Sequence, residues 1–237
     1  MDHQENKFSF LSDGNRLNGF LHLPGFQNNN FLVIGSHGLM ANCDSPKQLA
    51  LAKQCTTLGI AYFRFDFRGC GKSEGVFNLS SCLEERSSDL MNAASAMRSF
   101  FKNNLLIALF GSSMGGTVSL HAASRILPHA IITFAAPVMS STIIRAEDPS
   151  QDKLSFNISD RLGKIRNILI FHGDADEVVP FSNARTIYES SKPRKKLIIQ
   201  KGGDHRMSDK QHQKEFVSQS ILWLTSFLPK QMKTKFS

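Results

Sequence analysis

Ser113 stands in Gly111-Ser112-Ser113-Met114-Gly115, between an apolar run at 105–110 and a helix-like stretch at 114–127. That setting presents a hydroxyl on a strand-to-helix turn, with a helix N-terminus beneath negative charge developing on a carbonyl under attack. A serine hydroxyl is a weak nucleophile until a base takes its proton, and the base needs a carboxylate to fix its tautomer. Both are available downstream. One loop reads His172-Gly173-Asp174-Ala175-Asp176-Glu177-Val178-Val179-Pro180, the other Lys201-Gly202-Gly203-Asp204-His205-Arg206, and each follows a predicted strand. The chemistry such a set performs is acyl transfer through a serine.

A second G-x-S-x-G match, Gly71-Lys72-Ser73-Glu74-Gly75, has neither a buried strand before it nor a helical pattern after it. Ser73 is therefore read as a loop residue. A phosphate-binding loop is excluded as well, because the pattern G-x-x-x-x-G-K-[ST] needs glycine where this chain has Asp66.

Residues 8–11 and 17–23 flank Ser12-Asp13-Gly14-Asn15, and Asp-Gly between extended apolar segments predicts a hairpin. Strand and helix patterns then alternate: strands at 31–35, 61–65, 105–110, 130–134, 167–171 and 196–199, helices at 46–58, 82–101, 114–127, 182–190 and 208–227. The pattern predicts an α/β fold, a mostly parallel sheet of about eight strands with helices on both faces and ligand sites at the carboxyl ends of the strands. Residues 138–164 break the rhythm and are expected to form a small cap or lid on an otherwise single domain, 1–237.

Composition narrows the function. Lys and Arg number 28 against 20 Asp and Glu, a net charge of +8, yet the basic clusters at 192–196 and 230–235 lack the interleaved aromatics of a nucleic-acid surface. They are read as solvated, with attraction of an anionic substrate as the second reading. No apolar run approaches the roughly 18 residues of a membrane span, and the first residues carry acids and no apolar leader core. A cytoplasmic protein with Cys43, Cys55, Cys70 and Cys82 as free thiols is expected. The histidines are scattered and H-E-x-x-H is absent, so neither a metal nor a cofactor is expected.

Taken together, Ser36-His37-Gly38-Leu39-Met40-Ala41-Asn42, Phe65-Asp66-Phe67-Arg68-Gly69-Cys70-Gly71-Lys72-Ser73-Glu74-Gly75, the Ser113 turn, 172–180 and Gly203-Asp204-His205 resemble the α/β-hydrolase superfamily. The chain is most similar to small microbial esterases of the cinnamoyl and feruloyl type and to the serine aminopeptidase-like and lysophospholipase-like groups. The resemblance implies Ser113 as nucleophile, Asp176 as acid, His205 as base and a structural role for Ser73. The residues by themselves leave Asp174 open as the acid, and leave His172, His121, His129 and His212 as competitors for the base. By the same resemblance the backbone N–H groups of Leu39 and Met114 would form the oxyanion hole. Leu39 replaces a phenylalanine of the esterases, which changes the pocket wall and not the donor. Met40, Val138 and Met139 are the expected substrate-binding side chains.

The function expected is a carboxylesterase for small or medium acyl esters, with a small-molecule substrate as its partner. A thioesterase or lysophospholipase would instead favour anionic substrates and slow with salt. A ligand-binding protein on the same fold would leave Ser113 unlabelled by an active-site phosphonate. Peptidase action needs an acidic clamp for the substrate amine, for which Glu147 and Asp148 are weak candidates.

Overall fold

The computed structural model describes residues 4–25, 30–102, 104–144 and 153–228. The middle of the 138–164 segment, with Glu147 and Asp148, and the basic tail at 230–235 lie outside the described residues.

Strands β1 (Gln4–Ser12) and β2 (Asn15–Leu23) form an antiparallel hairpin. Its turn places Asp13 at φ 48° and Gly14 at φ 85°, the positive pair that a two-residue Asp-Gly connection supplies. The chain continues through β3 (Phe31–Ser36), α1 (Pro46–Thr57), β4 (Ala61–Phe65), α2 (Cys82–Phe101), β5 (Leu106–Ser112) and α3 (Met114–Ile126). It ends with β6 (Ala130–Phe134), α4 (Ser159–Leu162), β7 (Ile168–Gly173), α5 (Ser182–Ser190), β8 (Lys195–Gln200) and α6 (Lys210–Thr225). Among the described residues these strands make one eight-stranded sheet in the order β1-β2-β4-β3-β5-β6-β7-β8. β2 meets β4 antiparallel, and every pairing from β4 to β8 is parallel.

The inner strands read as continuous apolar runs because both of their faces are covered. Leu32, Ile34, Ile107 and Leu109 face one core with Val118 of α3 and Leu90 of α2; Phe31, Val33, Ala108 and Phe110 face the other with Leu51 of α1 and Phe216 of α6. Each fully buried aliphatic or aromatic side chain is worth about 1.5–3 kcal/mol relative to exposure, so these two layers fix the strands whose carboxyl ends carry the loops of Gly38, Ser113, Asp176 and His205.

The register sets up the site. Ser36 pairs with Gly111, so the loop leaving β3 starts beside the turn leaving β5. Gly173 pairs with Gln200, so the loops leaving β7 and β8 also start side by side.

The elements differ from the sequence expectation at their ends. β1 begins at Gln4, because the polar residues before Phe8 pair with β2 although they bury little. Helix α6 begins at Lys210 rather than 208, because the Asp209 carboxylate accepts from the N–H groups of Gln211 and His212 and caps it there. The described ends of the 138–164 segment form a single 3-10 turn, Ser140–Thr142, and the one-turn helix α4. Met139 and Asn157 pair across it, and Leu154, Phe156 and Ile158 are buried.

Candidate active site

Ser113 lies between β5 and α3 with φ 53° and ψ −126°, on the side of φ that L-residues avoid. Such a conformation costs of order 1–3 kcal/mol and persists only where the surroundings over-determine it. Here the Ser113 N–H donates to Phe134 O at 2.7 Å, and its carbonyl accepts from Gly116 N at 2.8 Å as α3 begins. Gly115 allows the close approach that follows: a Cβ there would collide with the carbonyl oxygens of Ser36 and His37. The N-terminus of α3 is thereby seated directly against the end of β3.

His205 is brought to the serine by the loop after β8. Its Nε2 is 3.1 Å from Ser113 Oγ, and its Nδ1 is 2.9 Å from Asp176 Oδ2 and 3.0 Å from Oδ1. These partners define the tautomer: Nδ1–H donates to the carboxylate, and Nε2 accepts from the serine hydroxyl. The two loops are pressed together at Gly173, where a Cβ would run into the Gly203 backbone. Ala175 N donates to Gly203 O at 3.1 Å.

The Asp176 side chain is fully buried, while that of His205 is 16% exposed. Burial on its own would raise the Asp176 pKa. The hydrogen bonds from His172, from His205 and from Val179 N–H outweigh that and hold the carboxyl well below the usual carboxylate range. Oδ1 accepts from Val178 N at 2.9 Å and Val179 N at 2.8 Å, and His172 Nε2 lies 3.3 Å from Oδ2. Asp174 sits elsewhere, accepting from Gly202 N at 2.5 Å, so it shapes the junction of the two loops. Asp204 accepts from Ser208 N and turns the chain after His205. Two of the competing histidines are occupied apart from the serine: His172 against Val179 O, and His121 against Ser87 Oγ.

The loop after β3 lies against Ser113. A Cβ built on Gly38 would be 3.6 Å from Ser113 Cβ. His37 is buried; its Nδ1–H donates to Gly38 O at 2.8 Å and its Nε2 accepts from Phe67 N at 3.2 Å. Burial, reinforced by the nearby Arg86, pushes its pKa down to about 4, so the ring is neutral at ordinary pH. Met114 opens α3, where the first N–H groups of a helix have no partner within it.

Of the expected substrate-binding side chains, Met40 is 87% exposed, on the rim of an open cleft of about 500 Å³ that Leu39, Cys70 and Phe77 also line. Val138 is buried, with its N–H on Asn183 Oδ1 at 2.8 Å, and Met139 is half-buried. Ser73 Oγ donates to Asp66 O at 2.6 Å and accepts from Asn18 N at 2.9 Å, which ties its loop to β2.

The sequence reading missed several supporting contacts. Glu177 accepts from the backbone N–H of His205 at 3.1 Å, Lys47 of α1 donates to Arg206 O at 3.0 Å, and Arg86 of α2 reaches the β3 loop. Only Arg86 carried a signal, as a charge on the apolar stripe of its own helix.

An eight-stranded, mostly parallel sheet between two helical layers, with a serine turned out at the end of its fifth strand, is the α/β-hydrolase fold. A family model described as serine aminopeptidase, S33 matches residues 27–167, and the chain belongs to that family. It is similar to the uncharacterized protein YfhR of Escherichia coli K12, 27% identical over 206 residues spanning 81% of this chain and 70% of that protein. The mitochondrial palmitoyl-protein thioesterase ABHD10 of Mus musculus is 24% identical over 214 residues, 75% of this chain and 70% of that protein. Among solved structures, the Pyrococcus furiosus esterase Pf2001 superposes with a TM-score of 0.83 at 17% identity, covering 96% of this chain and 92% of that one. Among the described residues no helix is long and apolar enough to cross a membrane.

Proposed function

We propose that the chain is a carboxylesterase that cleaves small or medium acyl esters through an acyl-enzyme on Ser113. The single observation that carries this reading is the continuous hydrogen-bonded chain from Ser113 Oγ through His205 to the buried Asp176. Ser113 Oγ attacks the ester carbonyl as His205 Nε2 takes its proton, and the imidazolium so formed is stabilised by Asp176, which stays ionised. The leaving alcohol departs with that proton. Water then enters by the same base and releases the acid.

The oxyanion of each tetrahedral intermediate is assigned to the N–H groups of Leu39 and Met114. The unpartnered start of α3 and the packing of the Gly38 loop on Ser113 support this. Removing one such donor typically costs about 100 to 1000-fold in rate.

Residues 1–237 are taken as one α/β-hydrolase domain, with 138–164 as a small cap beside the site. The hydrogen bond from Ile144 N to Val178 O at 2.8 Å, which ties that segment to the loop of Asp176, supports the cap. The likeness to a palmitoyl-protein thioesterase favours a second reading, in which the same residues cleave a thioester.

Hydrolysis of p-nitrophenyl esters from acetate to palmitate, beside matched acyl-CoA thioesters, tests both readings against a Ser113→Ala control. The first predicts oxygen-ester turnover that is lost in the variant. Turnover confined to thioesters would favour the second, and wild-type turnover of neither class would contradict the enzyme reading.

A further inference from the structure

Arg86 is 1% exposed on the face of α2 that also carries the buried Leu83 and Leu90. A guanidinium there forfeits its hydration and needs compensation. Among the described residues that compensation includes no ion pair. Nη1 donates to Gly38 O at 3.2 Å, and Nη2 donates to Leu39 O at 2.8 Å and faces Cys70 Sγ at 3.4 Å. The guanidinium carbon lies 5.0 Å from the ring centre of Phe67 and 5.3 Å from that of Phe77. Two successive carbonyls of the loop after β3 are thus gripped by one planar fork.

The carbonyl of Gly38 and the N–H of Leu39 belong to one peptide unit. A trans peptide is planar and points these two groups in opposite directions. Arg86 and His37 both donate to Gly38 O, so they fix the plane from its carbonyl side and thereby aim the Leu39 N–H. The grip on Leu39 O fixes the next unit, leaving the peptide no freedom to turn. A cation at the carbonyl end also polarises the unit and strengthens its N–H as a donor, as in any chain of coupled hydrogen bonds.

We propose that Arg86 is a positioning residue for the oxyanion hole: it locks the Gly38–Leu39 peptide and lends its charge, through that peptide, to the oxyanion formed on the substrate. This rests on the reading of Ser113 and Leu39 given above. Because the oxyanion exists only in the tetrahedral states, the contribution falls on kcat and leaves KM nearly unchanged. Lysine keeps the charge but not the fork, and methionine keeps neither.

The test compares wild type, Arg86→Lys and Arg86→Met on p-nitrophenyl butyrate, with rates divided by the concentration of sites titrated to completion with a fluorophosphonate. A phenylboronic acid inhibitor, which binds serine as a charged tetrahedral adduct, is measured in parallel. In Arg86→Met, kcat should fall roughly 10 to 100-fold, less than the loss of a donor itself, with KM within about threefold. Boronate affinity should fall in parallel with kcat, Arg86→Lys should lie between, and added guanidinium should restore part of the methionine variant's rate. If the methionine variant does not fold, the lysine variant decides by the same split between kcat and KM. Unchanged kcat and boronate affinity per titrated site would overturn the proposal, as would a loss carried by KM alone. A wild-type chain that neither hydrolyses the ester nor binds the boronate would instead overturn the reading of Ser113, and this proposal with it.

Discussion

His205 Nε2 lies 3.1 Å from Ser113 Oγ across 92 residues of sequence, and no other described histidine makes a hydrogen bond to that hydroxyl. Ser113→Ala and His205→Ala should each lower kcat by about 10⁴-fold or more while leaving the melting temperature within a few degrees. Ser73→Ala, which removes only the bonds of its hydroxyl to Asp66 O and Asn18 N, should keep kcat within about threefold. Steady-state assays beside thermal melts check all three, and an inactive but folded Ser73→Ala would reverse the assignment of the two G-x-S-x-G segments.

Two carboxylates lie two residues apart, and only Asp176 touches the imidazole. Asp176→Asn keeps the shape but offers an amide where Nδ1–H must be accepted, which favours the wrong tautomer and should cost about 10³ to 10⁴ in kcat. Asp174→Asn loses only the bond to Gly202 N and should leave kcat within about fivefold. Equal effects of the two substitutions on kcat would contradict this division of roles.

His37 is held neutral inside the fold, its pKa pushed down to about 4 by burial and then by Arg86. In the unfolded chain a histidine takes up its proton near pH 6.5, so between these values the unfolded state binds more protons. The stability difference is fully present above about 6.5 and is lost as pH falls through about 4. Melting temperatures followed from pH 7 to 4 should therefore fall, and the fall should be shallower in His37→Asn, which titrates nothing there. A parallel pair of curves would show that His37 is not the group responsible.

Arg68 and Asp89 tie the hairpin to the body of the fold. The Asp89 side chain is fully buried and accepts from Arg68 Nη2 at 2.7 Å, Arg68 Nε at 3.0 Å and Ser12 Oγ at 2.7 Å. Removing one partner of a buried pair leaves an uncompensated charge, so Arg68→Leu should destabilise the protein by about 3–5 kcal/mol. Replacing both partners, as Arg68→Leu with Asp89→Leu, should recover part of that loss. Urea unfolding of the single and double variants measures the difference, and an additive loss in the double would refute the account.

The strands were legible wherever burial on both faces forced a continuous apolar run, as at β3, β5 and β7, and the turn at Ser113 was legible because a strand precedes it and a helix follows. Their lateral order was not, because the placement of β3 between β4 and β5 depends on crossovers that no local pattern records. Spacing left Asp174 and Asp176 equivalent; the difference arises where Gly173 meets Gly203, two positions distant in sequence that come together only in the folded sheet. Helix α4 escaped notice because four residues carry no periodicity. Arg86 showed only as a charge on the apolar stripe of its own helix, because its main-chain carbonyl partners leave no mark in the sequence.

The claim that Ser113 carries the acyl group is tested most directly by the mass of the intact protein, and then of its peptides, quenched in acid within the first turnovers of p-nitrophenyl acetate. The account predicts one acetyl group on the peptide containing Ser113 in the wild type, accumulating further in Asp176→Asn if deacylation is the slower step there, and none in Ser113→Ala. An acetyl group on Ser73 or a cysteine, or ester turnover that survives in Ser113→Ala, would contradict it.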